Sequence, residues 1–133
     1  MKKNNRSRGF TLIELLVVIA IIGLLSSVVL ASLNGARTKG RDARRLADIK
    51  QMQVALELYY SEHNAYPAST SGLATSGYIS SIATDPLNES AYGYALGTDE
   101  QSYCLGAKLE TSDPPVSSSC TISGYTGNYF VKP

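Results

Sequence analysis

Residues 9–33 read GFTLIELLVVIAIIGLLSSVVLASL, an apolar run broken by one charge, Glu14, near its start. A run longer than the roughly 18 residues that mark a membrane-span candidate predicts a transmembrane helix. A carboxylate inside such a helix costs on the order of 2.5–3.5 kcal/mol even on lenient insertion scales, so it marks function and asks for a partner. In front of the run lies a short basic segment, MKKNNRSRG. Behind it lie 100 residues, enough for one small domain and too few for two.

The net charge is +1, distributed unevenly. Lys2, Lys3, Arg6 and Arg8 precede the apolar run, and Arg37, Lys39, Arg41, Arg44 and Arg45 follow it. Beyond Glu57 the only Lys or Arg residues are Lys108 and Lys132. A nucleic-acid binder keeps a basic face on its folded body, so direct nucleic-acid binding is not expected. Basic residues flank the span on both sides, so the positive-inside rule does not choose its orientation. Cys104 and Cys120 bracket a Ser- and Pro-rich loop in a chain with an export segment, which reads as a disulfide rather than a four-ligand metal site.

The apolar run is too long for a secretory signal core, and the small residue stands in front of it instead of behind. Arg8-Gly9-Phe10-Thr11-Leu12-Ile13-Glu14-Leu15-Leu16-Val17-Val18 resembles the class III signal of the type IV pilin superfamily, which holds pilus subunits and the pseudopilins of type II secretion and competence. The resemblance implies a pilin fold and a structural role. A prepilin peptidase would cut between Gly9 and Phe10 and methylate the amine of Phe10, and Glu14 would be the charge that neighbouring subunits read. It further implies a homo-oligomeric helical filament, built by an inner-membrane assembly platform and its ATPase from subunits stored in the membrane. The leader would lie inside and the body outside, to become a cell-surface or periplasmic filament. Losing the four basic leader residues takes the chain from +1 to −3.

The residues themselves supply a reason for this arrangement. The cut creates an amine that stays cationic when methylated. That amine on one subunit can neutralise Glu14 of another in a low-dielectric setting, where an unpaired carboxylate is costly. The competing readings are a Glu14 that merely reaches the membrane interface, and a monomeric protein that uses the span to tether an extracellular binding domain.

From Thr38 onward Leu46, Ile49, Met52, Leu56 and Tyr59 or Tyr60 recur at three- and four-residue spacing, the stripe of an amphipathic helix on a small core. The helix is expected to run from Phe10 to about His63, roughly 80 Å if unbroken. Gly23 and Ser26-Ser27 are the candidate places for it to bend or loosen, unless Gly23 simply allows close helix packing in the membrane. Arg41, Asp42, Arg44, Arg45 and Asp48 read as a solvated face in preference to a set of bridges between subunits. Asn64-Ala65-Tyr66-Pro67 ends the helix, because Pro67 removes a donor and biases Tyr66 away from helical angles.

The expected organisation is therefore a leader at 1–9, a membrane and assembly helix at 10–33, and an α+β body at 34–133. Within the body the helix continues over 34–63, a loop spans 64–90 with one helical turn near Gly72, and a small antiparallel sheet fills 91–133. Strands are expected at 91–96 (AYGYAL) and 102–109 (SYCLGAKL), joined by a hairpin at 97–100, with a third at 129–131 or 121–123.

No enzyme constellation is present, and the lone His63 at a helix end has no catalytic or metal-binding neighbours in sequence. The expectation is no cofactor. The superfamily resemblance leaves one ligand to consider: Asp85-Pro86 followed by Tyr92-x-Tyr94 resembles the calcium loop of type II secretion major pseudopilins, with Asp99, Glu100 and Asp113 as further oxygen donors. Calcium wants six to eight oxygens, and no ordered ladder of them is visible.

Overall fold

In the computed structural model, which describes residues 9–111 and 120–133, one helix dominates the chain: α1, Leu12–His63, 52 residues long. A five-residue helix α2 (Ser71–Thr75) and three strands follow, β1 (Gly93–Leu96), β2 (Tyr103–Ala107) and β3 (Tyr129–Val131). The described residues fall into two units that divide between Ala36 and Arg37. Most of the basic leader and Asp113 lie outside the described residues.

In the first unit every residue from Gly9 to Ala36 is exposed, including Leu12, Ile19, Leu24 and Leu30. None of its apolar stretch is buried within the chain. A helix that is apolar all round and covered by nothing in its own chain needs lipid or other protein to cover it. The helical hydrogen bonding continues through Gly23 and Ser26-Ser27, where Ser27 Oγ donates to the Leu24 carbonyl at 2.8 Å. The helix is continuous at these positions.

In the second unit, the body, α1 lays one stripe on an antiparallel sheet of order β1-β2-β3. The 3.6-residue period places Ile49, Met52 and Leu56 on that stripe, and all three are buried; Ala55 joins them and Leu46 sits at the margin. From the sheet, Leu105 and Ala107 of β2 face them, flanked by Tyr94 and Leu96 of β1 and by Tyr129 and Val131 of β3. The register explains the shared face, since Tyr94 pairs with Leu105 and Ala107 with Tyr129. Leu73 of α2 also enters the core, as do Tyr66, Tyr92 and Tyr103, each tyrosine hydroxyl donating to a carboxylate of α1: Tyr92 to Asp48 at 2.7 Å, Tyr66 and Tyr103 to Glu57. The tyrosines are thus core residues with a polar tip tied to the helix.

The helix ends before the proline would require it to. Asn64 takes φ 54° and donates its N–H to the Tyr60 carbonyl at 2.8 Å, the left-handed stop that Asn tolerates. Tyr66 and Pro67 follow outside the helix. The third strand is the one at Tyr129–Val131, while 121–123 is irregular.

The outer face of the sheet carries a layer that the strand pattern does not announce. Gly93 and Gly106 pair across β1 and β2, and a Cβ at either would lie 2.6–2.7 Å from the ring of Tyr125 or Phe130. The residues after Cys120 therefore fold back over a glycine furrow, with Ile122 beside both glycines. Asn128 locks the return, its side chain exchanging hydrogen bonds with the Leu109 backbone at 2.6 and 3.0 Å. Cys104 of β2 and Cys120 form a disulfide with S–S 2.08 Å and Cα–Cα 6.0 Å. A cross-link closing a loop of this size stabilises by about 3 kcal/mol in the chain-entropy account.

Candidate functional site

Two clusters of polar groups stand out, one at the start of α1 and one inside the body.

At the start of α1, Gly9 and Phe10 are exposed, and a Cβ placed on Gly9 meets nothing within 4 Å. Nothing in the fold itself demands glycine there. Thr11 is the N-cap of α1 and Glu14 the third helical residue. Glu14 Oε2 accepts both the Thr11 N–H and the Thr11 hydroxyl at 2.8 Å, and the Glu14 N–H donates to Thr11 Oγ1 at 3.3 Å. This is a reciprocal capping box, T-x-x-E, which satisfies otherwise orphaned N–H groups at the helix start. Both donors to Glu14 belong to Thr11, so the box does not depend on Gly9. The second carboxylate oxygen, Oε1, accepts no hydrogen bond from the described residues.

Inside the body, Arg45 is 1 % exposed, and this corrects the expectation of a solvated charged face. Its guanidinium donates to Asp85 through Nε at 2.7 Å and Nη2 at 3.0 Å, and through Nη1 to Asp42 at 2.7 Å and Glu110 at 2.6 Å. Arg41 adds a second cation, gripping Glu110 at 2.6 and 2.7 Å. Asp42, also buried, accepts the backbone N–H groups of Glu110 and Thr111 at 2.9 Å each. One side chain of α1 therefore ties together the helix, the loop at Asp85 and the chain leaving β2. The planar fork of arginine suits this work because it carries five fixed donors. The signal for burial is present in the spacing: Arg45 precedes Ile49, Met52 and Leu56 at helical intervals and so falls on the core-facing stripe.

The electrostatics follow from the contacts. Hydrogen bonds from Arg41 and then Arg45 hold Glu110 down at about 2. The Arg45 bonds lower Asp85 against the opposing effect of burial. Burial works to raise Asp42, but the two backbone N–H groups and Arg45 outweigh it. A carboxylate depressed in the folded state contributes stability that is present above its ordinary value and lost as pH falls through its folded value. The body is therefore expected to melt at a steady temperature near neutrality and at progressively lower temperature from about pH 5 down to about pH 2. A melting temperature that stays flat from pH 7 to pH 3 would remove the network from the stability account.

The calcium candidates are placed differently from one another. Asp85 spends both oxygens on Arg45, and Oδ1 also accepts the Leu87 N–H at 2.8 Å. Asp99 Oδ1 accepts from the Gln101 N–H at 3.1 Å and the Ser102 hydroxyl at 3.0 Å, closing the turn between β1 and β2. Among the described residues no group of three or more His, Cys, Asp or Glu side chains is arranged to hold a metal ion. A cation seated at Asp85 would have to displace Arg45.

The family model described as the prokaryotic N-terminal methylation motif matches residues 4–30. A type II secretion system core protein G of Pectobacterium carotovorum is 37% identical over 89 residues, covering 67% of this chain and 57% of that protein. The Escherichia coli protein of the same name is 32% identical over 102 residues, 65% of this chain and 70% of its own length. The type IV major pilin protein PilA of Myxococcus xanthus is 30% identical over 93 residues, 70% of this chain and 38% of its own. The chain thus spans somewhat over half the length of the Pectobacterium relative. No solved structure matches it. With its methylation motif, its exposed apolar helix and the small sheet packed on that helix, the chain belongs to the type IV pilin superfamily.

Proposed function

We propose that the chain is a filament subunit, made as a precursor, held in the membrane by α1 and then polymerised through it. The observation that carries this reading is the first unit of α1, an uncovered apolar helix with a single carboxylate at its third residue. Lipid covers such a helix before assembly, and other copies of the same helix can cover it afterwards. The superfamily relatives named as secretion core protein G and as a major pilin support the filament role.

In this reading a prepilin peptidase cuts between Gly9 and Phe10 and methylates Phe10. The exposure of both residues, and the absence of any packing role for Gly9, support recognition of that glycine by an outside agent. The cut removes neither partner of the capping box. It does add a cationic amine next to the helix start, and Glu14 Oε1 is the oxygen available to another copy's amine. An assembly platform and ATPase then draw subunits out of the membrane, with the N-terminus inside and the body outside. The Cys104–Cys120 disulfide supports that orientation, because such bonds persist in oxidising compartments. Co-expression with a prepilin peptidase is expected to yield a chain that begins at methylated Phe10. Intact-mass measurement checks it, and a Gly9→Val variant should keep the whole leader. A chain that retains residues 1–9 beside an active peptidase would count against the reading.

The same reading makes the body independent of calcium. Arg45 and Arg41 supply the positive charge that Asp42, Asp85 and Glu110 need. Melting of the full chain in detergent is expected to be the same with millimolar calcium and with chelator. A rise of several degrees on adding calcium would overturn this.

A further inference from the structure

The second half of α1 has two apolar sides. One is buried on the sheet. The other shows Val54 and Leu58, 53% and 50% exposed, as the ridge of a groove of about 480 Å³ that is also lined by Ala47, Lys50, Tyr78 and Ile79. Nine residues separate Arg45 from Val54, about two and a half turns, so the two side chains leave the helix on opposite sides. Arg45 fixes the loop at Asp85 to its own side. That loop is a tight turn: the Asp85 N–H donates to the Ser90 carbonyl and the Glu89 N–H to the Asp85 carbonyl, both at 2.9 Å. Its tip holds out Leu87, 60% exposed, beside exposed Glu89. Neither Glu89 nor Lys50 joins an ion pair among the described residues.

We infer that in the filament Leu87 of one copy seats in the Val54–Leu58 groove of a neighbouring copy, with Glu89 of the first facing Lys50 of the second. The inference rests on the filament reading, which brings bodies side by side once their apolar helices associate. The occupant is a second copy because the chain carries both halves of the match: an apolar groove edged by a cation on one side, and an apolar tip edged by an anion on the other. The apolar pair supplies the buried centre and the charge pair the register. Because the two patches differ and point apart, the contact is heterologous. A heterologous contact repeats from copy to copy and produces an open helical array unless its rotation closes a ring. The groove would thus add a second assembly contact, outside the membrane helix.

The test uses the full-length chain in assembled filaments. A Val54→Cys, Leu87→Cys double variant, sheared from cells and oxidised, is expected to give a ladder of covalent multimers on a non-reducing gel, while either single variant stays monomeric. The native cysteines do not compete, since Cys104 and Cys120 are bonded to each other. Normal filaments without a ladder, or a ladder from a single variant, would overturn the contact. If the double variant does not assemble, Glu89→Lys decides. It should cut filament number several-fold, Lys50→Glu in the same chain should restore it, and failure of restoration would overturn the contact. Loss of filaments from the unaltered chain would instead remove the filament reading, and this contact with it.

Discussion

Replacing Arg45 by Met is expected to destabilise the body by about 3–5 kcal/mol, the loss that follows when one partner of a buried ionic cluster is removed. The stability of a whole small domain is about 5–15 kcal/mol, so the variant should be largely unfolded at growth temperature or close to it. The mechanism lies in what remains behind. Asp85 keeps backbone donors from Leu87 and Asn88 but loses its bidentate guanidinium while still 8% exposed. Asp42 is better placed, because the Glu110 and Thr111 N–H groups still reach it. Arg41 cannot substitute, being committed to Glu110 at the rim. Thermal melting of the full chain in detergent, followed through the tyrosine signal, measures the effect. Adding Asp85→Leu to Arg45→Met should recover much of the loss, since an apolar replacement of the pair leaves less charge stranded. Wild-type melting of Arg45→Met alone would show that the cluster holds nothing together.

Much of the fold is legible in the sequence because it follows from periodicity. Ile49, Met52 and Leu56 recur at helical spacing, Tyr92, Tyr94 and Leu96 alternate at strand spacing, and Asn64 to Pro67 punctuate the end of α1. Tertiary partners far along the chain are not legible. Arg45 finds Asp85 40 residues away and Glu110 65 away, so a charged residue on a core-facing stripe reads as solvated. The outer layer is hidden for a similar reason. Gly93 and Gly106 look like weak strand residues until the tail returns Tyr125 and Phe130 onto them. At the site, the methylation signal is readable as a motif, and the capping box is spelled out as T-x-x-E at Thr11 to Glu14. The cost of a carboxylate in lipid points to a distant partner, whereas the nearest donors belong to Thr11, three residues away.

That local bond sharpens the question of what Glu14 does. The structure gives it one local duty, capping, worth about 1 kcal/mol to the helix start. The filament account gives it a second, pairing with the amine of Phe10 on another copy. Alanine removes both duties and cannot separate them. Glutamine separates them, because Gln serves in a capping box but carries no charge. If pairing contributes more than about 1.4 kcal/mol per subunit, loss of the charge weakens each subunit addition more than tenfold. A growing filament repeats that loss at every step. Thr11→Ala supplies the converse case, with the charge kept and the cap lost, and should assemble far better than Glu14→Gln.

The most direct measurement is therefore a count of filaments on cells expressing Glu14→Gln, with processing and membrane level of the chain checked on the same samples. The account predicts a chain that is cut, methylated and present in the membrane at the normal level, with filaments reduced at least about tenfold. Filaments in normal number would show that subunits do not read the charge of Glu14, and would contradict the assembly mechanism.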